Sequence, residues 1–578
     1  MPNRQHHCRT RRLRGSRRAL LAVLASLALA VPAAGAARKV ARFDWFEYRG
    51  DDHLPAPGAG QYGNPVLQGF YPDPSVVRVG GDYYLVNSTF AWFPGIPVWH
   101  SRDLVNWTQI GNAIDRPTQI NFDKMTMQQG VYAPDISWHA GKFYILNTCV
   151  GCGGNFVITA TNPAGPWSDP VWLPQVDGID TSPFFDPDGT AWIVHNGPPE
   201  GKPRYDGHTA IWLHQFDPRT LKTVGSPRVL VDGGSRPERN PIWIEGPHIF
   251  KKDGLYYLIA AEGGTEEGHS EVAFRSDKVT GPYVPFAGNP ILTQRDLPPT
   301  RTNPITSTGH ASFVRTQRGD WWAMFLGVRP YDGHNFNTGR ETFMMPVRWK
   351  DGWPMITDAG QRVPSVAPKP KLPSGAKPPW PTRGDFAIRD DFDGQRLRPY
   401  WMMLRNPRHR WWRISGGSLQ IDPQPEVFST RGNPSLLARR QQHLNATATT
   451  SVEFDPPRDG SEAGLVAMQN DEYWYFLAVG REQGKRVVRV RQRAGARDPT
   501  AGKIVAAAEI APRGAVELRI AARGASYDFD WSNDGRHWHR LVSGADGTIL
   551  STKRAGGFVG AVFGLYAHNG TVSAEMKR

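Results

Sequence analysis

The chain contains 578 residues, with 61 Gly, 50 Pro, 21 Trp and a formal net charge of +14. This length can bury more than one hydrophobic core, and the frequent Gly, Pro and aromatic residues favour short strands and turns over long helices. Seven Arg and no acidic residue lie in the first 18 positions, so the rest of the chain carries +7, which argues against a nucleic-acid-binding surface.

Residues 1–36 have the pattern of a secretory signal peptide. The Arg-rich start is followed by the apolar run "ALLAVLASLALAVP" and by Ala34-Gly35-Ala36, a small-residue cleavage site. The apolar run is short for a membrane span, so we expect no membrane anchor. The sequence "SRRALL" resembles a twin-arginine export motif, and general secretion is the alternative. We therefore expect a secreted or periplasmic protein.

Five later segments share one layout: a polar residue, a short strand-like run, a turn containing Gly, and an aromatic strand. The polar residues are Asp73, Asp135, Asp180, Glu245 and His310, at intervals of 62, 45, 65 and 65 residues. Each interval can hold a four-stranded antiparallel sheet, and repeats of this size are typical of propeller blades. We predict an all-β fold in which residues 60–360 form a five-bladed β-propeller.

The innermost strands of a propeller line its axis, so polar residues at equivalent positions should meet in one cavity. Asp73 lies between two prolines in "FYPDPS", which restrict its backbone. Asp180 and Glu245 have apolar neighbours, unlike most turn acids, whereas Asp186 and Asp188 in "FFDPDG" have turn neighbours and are interpreted as turn residues. The alternative is that the repeated acids lie in exposed turns.

Two cysteines, Cys149 and Cys152, remain after the signal peptide. A C-x-x-C pair can be a redox motif or half of a zinc site, but the second pair that zinc needs is missing and no helix follows. In an exported chain a local disulfide is favoured over free thiols.

Beyond the propeller the pattern changes twice. Residues 361–384 are rich in proline and have little periodicity, which indicates a stiff linker. Residues 385–578 contain regularly spaced strand-like segments, among them the strictly alternating "SYDFDWS". These segments predict a β-sandwich.

Several motifs carry a resemblance to a known family. They include "NPVLQGFYPDPSVVRVGGDYYLV", "GIDTSPFFDPDG", "IEGPHIFKKDG", "TSTGHASFV" and "GRETFMMPV". From about Asn64 to the C-terminus the chain resembles family 43 glycoside hydrolases, in particular their β-xylosidase and α-L-arabinofuranosidase members. The resemblance implies a five-bladed propeller, a concanavalin-like C-terminal domain that walls the cavity, and hydrolysis of pentosyl linkages with inversion. The alternative for the C-terminal domain is a mobile carbohydrate-binding module.

By motif, the resemblance implies that Asp73 is the general base and Glu245 the general acid. It implies that Asp180 raises the pKa of Glu245 and orients it. Inverting hydrolysis needs such an acid and such a base on opposite faces of the sugar, at roughly 6.5–9.5 Å. A third carboxyl near the proton donor raises its pKa by repulsion between like charges.

The resemblance also implies sugar contacts for Arg329 of "GVRP", Phe90 of "STFAWFPG" and Thr265 of "EGGT". For Arg329 a structural ion pair is the alternative. His310 of "TSTGH" resembles the histidine of the central channel, which in some relatives lies near a calcium or other ion. We expect no required cofactor and, if an ion is present, a structural calcium near His310.

One segment departs from the family pattern. In "GVYAPD", Tyr132 stands where the family often has Trp, and Asp135 stands where it often has Thr, Cys or His. The role of Asp135 is therefore left open.

Aromatic side chains can provide flat surfaces for sugars. The candidates are Trp92, Phe93, Trp243, Trp321 and Trp322, of which we expect one or two to contact a sugar and the others to pack between blades.

The predicted function is that of a secreted, inverting glycoside hydrolase. It would release xylose or arabinose from xylo-oligosaccharides or arabinoxylan-type hemicellulose, with no nucleic-acid or membrane partner; the sequence favours neither sugar and no particular oligomeric state. Two alternatives are a non-catalytic carbohydrate-binding propeller, which the presence of all three acids disfavours, and a retaining fructan-acting propeller, whose typical Glu-Cys pair is absent.

Overall fold

The structure, a computed structural model, describes residues 40–570, and the predicted signal peptide lies outside this range. Within it, none of the helices has the length and apolar character needed to cross a membrane. The described residues are mostly β-strands and turns, with one short α-helix, Thr552–Ala555, and two 3-10 turns, Pro237–Arg239 and Gly547–Leu550.

Five antiparallel sheets form the blades of a propeller, and each uses four strands in chain order. Blade 1 consists of Ser75–Val79, Asp82–Val86, Gly95–Ser101 and Thr108–Ile114. Blade 2 consists of Asp135–His139, Lys142–Val150, Gly154–Ala160 and Val171–Trp172, with Gly130–Val131 added. Blade 3 consists of Ile179–Phe185, Ala191–Gly197, Ala210–Asp217 and Lys222–Asp232. Blade 4 consists of Glu245–Lys252, Leu255–Glu262, Ser270–Ser276 and Val284–Pro285, with Leu292–Thr293 added. Blade 5 consists of Thr306–Arg315, Trp321–Val328, Glu341–Lys350 and Trp353–Met355.

The ring closes where blade 5 meets blade 1, because the innermost strand of each blade contacts the next around the axis. The segment before blade 1 reinforces this closure. Gln61–Gly63 pairs with Val366–Pro368, and the Asn64 side chain both donates to the Met344 carbonyl (3.0 Å) and accepts from its N–H (2.9 Å). The two ends of the propeller are therefore joined by backbone and side-chain hydrogen bonds.

Two large antiparallel sheets form a β-sandwich. In sheet order, the first consists of Trp412–Ile414, Leu419–Ile421, Ala41–Gly50, Asn445–Glu453, Val516–Arg523, Ser526–Ser532 and His539–Asp546, with Phe386–Asp390 also paired to Ala41–Gly50. The second consists of Lys503–Glu509, Lys485–Ala494, Tyr473–Glu482, Ser461–Asn470, Val562–Asn569, Leu436–Arg440, Met402–Leu404 and Trp92–Phe93. Together with the propeller, the sandwich confirms the predicted fold.

Two strands of the sandwich come from outside its main segment. Ala41–Gly50 precedes the propeller in sequence but pairs with Asn445–Glu453 in the first sheet. Trp92–Phe93 lies in a loop of blade 1 and pairs with Met402–Leu404 in the second. One apolar cluster also continues from the sandwich into blade 2, where it includes Ile145. The sandwich is thus built into the propeller by strand pairing and by a shared core.

The proline-rich segment 361–384 follows the propeller surface. Its strand Val366–Pro368 pairs with the start of the chain, Val363 and Leu372 are buried, and the Gly375 N–H donates to the Asp103 carboxylate at 2.7 Å. The segment is thus held along its length.

Cys149 and Cys152 form a disulfide at the end of the second strand of blade 2, which confirms that prediction.

Candidate active site

Three of the repeated polar residues share an uncommon backbone conformation. Asp73, Asp180 and His310 have φ values of 53°, 59° and 54°, in the left-handed region that most residues other than Gly avoid. Each lies at or just before the innermost strand of its blade. Such conformations concentrate at functional sites, where the surrounding structure maintains them. The geometry aims three side chains from three blades at the axis.

Asp73 is buried and held through both carboxylate oxygens. Its Oδ2 accepts a hydrogen bond from the Ser88 hydroxyl at 2.5 Å, and its Oδ1 accepts one from Arg340 Nη1 at 3.0 Å. The Arg340 bond is charge-assisted and stronger than a neutral one. Each oxygen keeps a further lone pair. Asp73 is therefore fixed in position and still able to accept a proton.

Asp180 and Glu245 are coupled through the backbone. Asp180 Oδ2 accepts from the N–H of Gly246, the residue after Glu245, at 3.0 Å. Burial, and then the nearby Glu245 and Asp73 carboxylates, raise the pKa of Asp180 well above its usual value. Because Asp180 and Glu245 disfavour each other's ionised form, the pair retains a proton at neutral pH.

Glu245 is the member of this pair that faces the larger space. It lines a cavity of about 810 Å³, whereas Asp73 and Asp180 line a small adjoining cavity on the axis. Burial raises the pKa of Glu245 to about 7; the Arg340 guanidinium opposes this rise and the Asp73 carboxylate adds to it. Glu245 can therefore carry a proton near neutral pH at a site open to a ligand.

Both domains wall the larger cavity. Blade 4 contributes Trp243, Glu245 and the loop at 263–268, blade 5 contributes Arg340, and the sandwich contributes residues from Thr552 to Phe558. The Arg340 guanidinium lies over the Phe558 ring at 5.4 Å. The volume is in the range of small-ligand sites. The cavity thus combines an acid that can carry a proton near neutral pH, a cationic hydrogen-bond donor and apolar rings, a set that suits a sugar.

Comparison with known proteins identifies the family. The sequence pattern of Glycosyl hydrolases family 43 matches residues 62–354, and that of the Beta xylosidase C-terminal Concanavalin A-like domain matches residues 389–576. The chain belongs to glycosyl hydrolases family 43. It is therefore a glycosidase, which sets aside the non-catalytic alternative.

Relatives in this family match nearly the whole chain. The non-reducing end alpha-L-arabinofuranosidase BoGH43B of Bacteroides ovatus is 37% identical over 87% of this chain and 90% of its own. A xylosidase/arabinosidase of Butyrivibrio fibrisolvens is 34% identical over 88% and 96%. Among solved structures, a GH43_12 protein retrieved from a capybara gut metagenome has a TM-score of 0.85 at 36% identity, covering 92% of this chain and 100% of that one.

The structure brings most of the residues predicted for the family 43 site together, but it places Arg329 elsewhere. Arg329 makes a two-pronged ion pair with Glu341 (Nε–Oε2 2.6 Å and Nη2–Oε1 3.0 Å) and a third bond to Asp52 at 2.7 Å. It lines a separate cavity of about 520 Å³ beside Asp52. In this structure it has the geometry of a structural ion pair, which was the alternative to a sugar contact.

Arg340 is a candidate functional residue that sequence reasoning missed. It lies beside Asp73, and its Nη1 also donates to the Thr265 hydroxyl at 3.2 Å. The signal was present in "GRETFMMPV", which carries the resemblance but says nothing about which of two nearby arginines faces the cavity. Thr265 lies at the cavity wall, and its contact with a sugar stays a prediction.

Phe90 lies behind that wall. Its ring is buried, stacks on Phe558 with centroids 6.1 Å apart, and meets the edge of Tyr132 at 5.4 Å. Phe90 thus supports the sandwich residue that faces the cavity.

His310 faces Asp73, with Nδ1 3.8 Å from Oδ1. Burial lowers the pKa of His310 to about 4, so the ring is neutral at neutral pH. Among residues 40–570 the group of His, Cys, Asp or Glu with metal-ligand spacing is the exposed set Asp51, His53 and Asp385, and it does not include His310. His310 lines the small axial cavity together with the carboxylates of Asp73, Asp135 and Asp180, and the calcium expected near His310 stays a prediction.

Asp135 belongs to a ring of polar groups on the axis that joins all five blades. Asp135 Oδ2 accepts from Ser75 Oγ at 3.0 Å and lies 2.9 Å from His248 Nδ1, which is 3.2 Å from Ser182 Oγ. Blade 5 is connected to blade 1 through Ser312, whose Oγ accepts a hydrogen bond from the backbone N–H of Val76, the residue after Ser75, at 3.1 Å. The carboxylate that departs from the family pattern therefore connects blade 2 to blades 1 and 4.

Of the five aromatic candidates, Trp243 alone lines the cavity. Trp92, Phe93 and Trp322 are buried, and Trp321 packs against Phe250.

Proposed function

We propose that the protein is an exported, inverting glycosidase that releases a terminal xylose or arabinose from xylo-oligosaccharides or arabinoxylan-type hemicellulose. The observation that carries the proposal is the division of the acidic residues into two environments. Glu245, whose pKa burial raises to about 7, lines the open cavity, while Asp73 is anchored by Arg340 and Ser88 on the axis. Inverting hydrolysis needs one acid and one base in separate positions.

In the proposed reaction, Asp73 accepts a proton from a water molecule as that water attacks the anomeric carbon. Glu245 gives its proton to the oxygen of the departing sugar, so that the glycosidic bond breaks without forming an alkoxide. Asp180 holds the backbone after Glu245 and, by charge repulsion, favours the protonated form of the pair. Arg340 fixes Asp73 and offers donors to sugar hydroxyls.

The assignment of a pentose as the released sugar rests on the activities named for similar proteins. BoGH43B is named for α-L-arabinofuranosidase activity and the protein of Butyrivibrio fibrisolvens for xylosidase and arabinosidase activity, and each is at least 34% identical to this chain over most of its length. Export rests on the signal-peptide pattern of residues 1–36 and agrees with the Cys149–Cys152 disulfide.

A panel of 4-nitrophenyl glycosides tests the proposal. We expect release of 4-nitrophenol from the β-D-xyloside, the α-L-arabinofuranoside or both, and little from the corresponding hexosides. Asp73→Asn should abolish activity on all of them, and it serves as the control against a contaminating glycosidase. Activity restricted to hexosides would refute the pentose assignment.

Export is tested by sequencing the N-terminus of protein recovered outside the cytoplasm of a bacterial host. A mature chain that begins at residue 37 is expected, and an uncleaved chain that stays in the cytoplasm would contradict it.

A further inference from the structure

Trp243 is an exposed aromatic residue in a restrained conformation at the mouth of the cavity. About 46% of its surface is exposed, which is unusual for Trp, and its φ is 48°, an outlier for a bulky side chain. The backbone of Trp243 is held in place, since its main-chain N–H donates to the Gly207 carbonyl at 2.8 Å. Strain of this kind at a cavity indicates a function rather than a packing role.

Two glycines provide the space that the indole occupies. A Cβ added to Gly264 would lie 2.6 Å from the indole ring, and one added to Gly207 would lie 3.4 Å from it. Larger residues at Gly264 would therefore displace the ring. The indole is backed by main chain and turns its remaining surface to solvent and to the cavity.

Trp243 and Glu245 face the same space, although Trp243 lies just before the strand that begins at Glu245. Ile244 between them is instead buried in the apolar cluster of blades 3 and 4. Both Trp243 and Glu245 line the cavity of about 810 Å³. The leaving-group oxygen that receives the Glu245 proton would therefore lie in the same cavity as the indole.

The position of Trp243 along the cavity decides which sugar it would meet. Arg340 and Asp73 are buried at the inner end, where the sugar that is released must sit for water to reach its anomeric carbon. Trp243, the exposed Glu266 and the half-buried Glu267 lie at the open end, towards which the rest of the substrate extends.

We propose that Trp243 is the platform for the sugar on the leaving-group side of the scissile bond, and that this sugar is a neutral ring. An aromatic face gains by removing the apolar C–H face of a sugar from water. At the rim, the Lys553 ammonium group lies 3.0 Å from the Glu266 carboxylate and 3.1 Å from the Glu267 carboxylate. Two negative charges thus face one positive charge, and this excess disfavours an anionic sugar. This inference rests on the proposed function, since it names the part of the substrate that lies beyond the cleaved bond.

The test compares two substrates that contain the same pentose but differ in the leaving group, which is a sugar in one and fluoride in the other. For Trp243→Ala, kcat/KM on a pentosyl disaccharide such as xylobiose should fall by about tenfold or more, while kcat/KM on the glycosyl fluoride of the same pentose should stay unchanged, because fluoride cannot stack. Trp243→Phe should recover most of the loss. Trp172→Ala, which removes another exposed Trp on the outer strand of blade 2, is the matched control and should change neither value. Equal losses on both substrates, or no loss on either, would overturn the inference.

A binding measurement separates this inference from the proposed function. Wild-type enzyme that cleaves no pentoside would refute the proposed function. In the inactive Asp73→Asn background, calorimetry with xylobiose should still show affinity about tenfold weaker when Trp243→Ala is added, with Asp73→Asn/Trp172→Ala as control. Equal affinities would overturn the assignment of Trp243 whatever the reaction proves to be.

Discussion

At the scale of single residues, the site depends on how one fold gives three carboxyl groups different environments. Asp73 has a guanidinium and a hydroxyl as partners, whereas Asp180 and Glu245 are buried against each other. Burial and like charge favour the protonated form, and hydrogen bonds to an anion favour the ionised one. The proposed roles of base and acid rest on these surroundings rather than on the residue types.

The pH profile should report the protonation of Glu245. Its pKa is about 7 and the acid must carry a proton, so kcat/KM should fall as pH rises through about 7. Asp180→Asn removes a carboxyl that interacts with Glu245, so the falling limb should move to lower pH. Glu245→Gln should lower kcat on xylobiose by roughly 10²–10⁴-fold, and less on 4-nitrophenyl glycosides, whose leaving group needs little protonation. An unchanged falling limb in Glu245→Gln would assign the acid to another residue.

Replacing Arg340 should mainly lower activity, whereas replacing Arg329 should mainly lower stability. Arg340→Ala should lower kcat/KM by more than about tenfold because Asp73 loses its charge-assisted bond. Arg329→Ala should instead lower the free energy of unfolding by about 3–5 kcal/mol, since it leaves Glu341 and Asp52 without their partner. Denaturant unfolding and kinetics on the remaining folded enzyme separate the two effects. Loss of activity with full stability in Arg329→Ala would restore the sugar-binding role for that residue.

At the scale of elements, the proposed catalytic groups lie in or beside the innermost strands, which also carry the contacts that hold those groups at fixed spacing. The ring from Ser75 through Asp135, His248 and Ser182 joins strands of four blades within the small axial cavity, next to Asp73 and Asp180. Buried polar groups of this kind are costly when left without partners. The ring therefore helps to fix the distance between the blades that carry the proposed acid and the proposed base.

Replacing Asp135 tests this ring. Asp135→Asn keeps the shape of the side chain but weakens its bond to His248, so the free energy of unfolding should fall by about 1–3 kcal/mol. Asp188→Asn is the matched control, because Asp188 lies in an exposed turn of blade 3 and should change stability little. Denaturant unfolding of both variants gives the comparison. Equal stability of the two would show that the Asp135 contact contributes nothing measurable.

The repeated layout predicts the blades from sequence because each blade is a local unit of consecutive strands. The first strand of the sandwich shows what such patterns miss. Ala41–Gly50 has strand-like alternation, yet its partner Asn445–Glu453 lies some 400 residues away and nothing local indicates it. Arg329 and Arg340 show the same limit at the site, since both lie at strand ends of blade 5 and only the folded sheet shows which one meets Asp73.

At the scale of the whole molecule, the sandwich completes the active site. Phe558 lines the cavity, stacks on Phe90 and lies under the Arg340 guanidinium. Across the mouth of the cavity, Lys553 forms ion pairs with Glu266 and Glu267. The strand Ala41–Gly50, the shared apolar core and the held proline-rich segment all join the sandwich to the propeller. The geometry is that of a fixed wall rather than of a mobile module.

Removal of the sandwich should therefore abolish function. A chain that ends at Pro368 leaves Ala41–Gly50 without sheet partners and exposes apolar surface, so we expect it to be insoluble or inactive. Phe558→Ala keeps the fold and should raise KM for xylobiose by about tenfold, because the wall loses an aromatic face. Solubility, circular dichroism and kinetics measure these outcomes. Full activity from a soluble truncated chain would favour the mobile carbohydrate-binding module.

The configuration of the first sugar released tests the central claim most directly. If Asp73 activates water while Glu245 protonates the leaving oxygen, hydrolysis occurs in one displacement and the anomeric configuration inverts. Proton NMR of the reaction in its first minutes, before mutarotation, should show the α-anomer of xylose from a β-xyloside, or the β-anomer of arabinose from an α-L-arabinofuranoside. Release of a sugar with the configuration of its substrate would contradict the account, since one carboxylate would then be a nucleophile and Asp73 could not be the base.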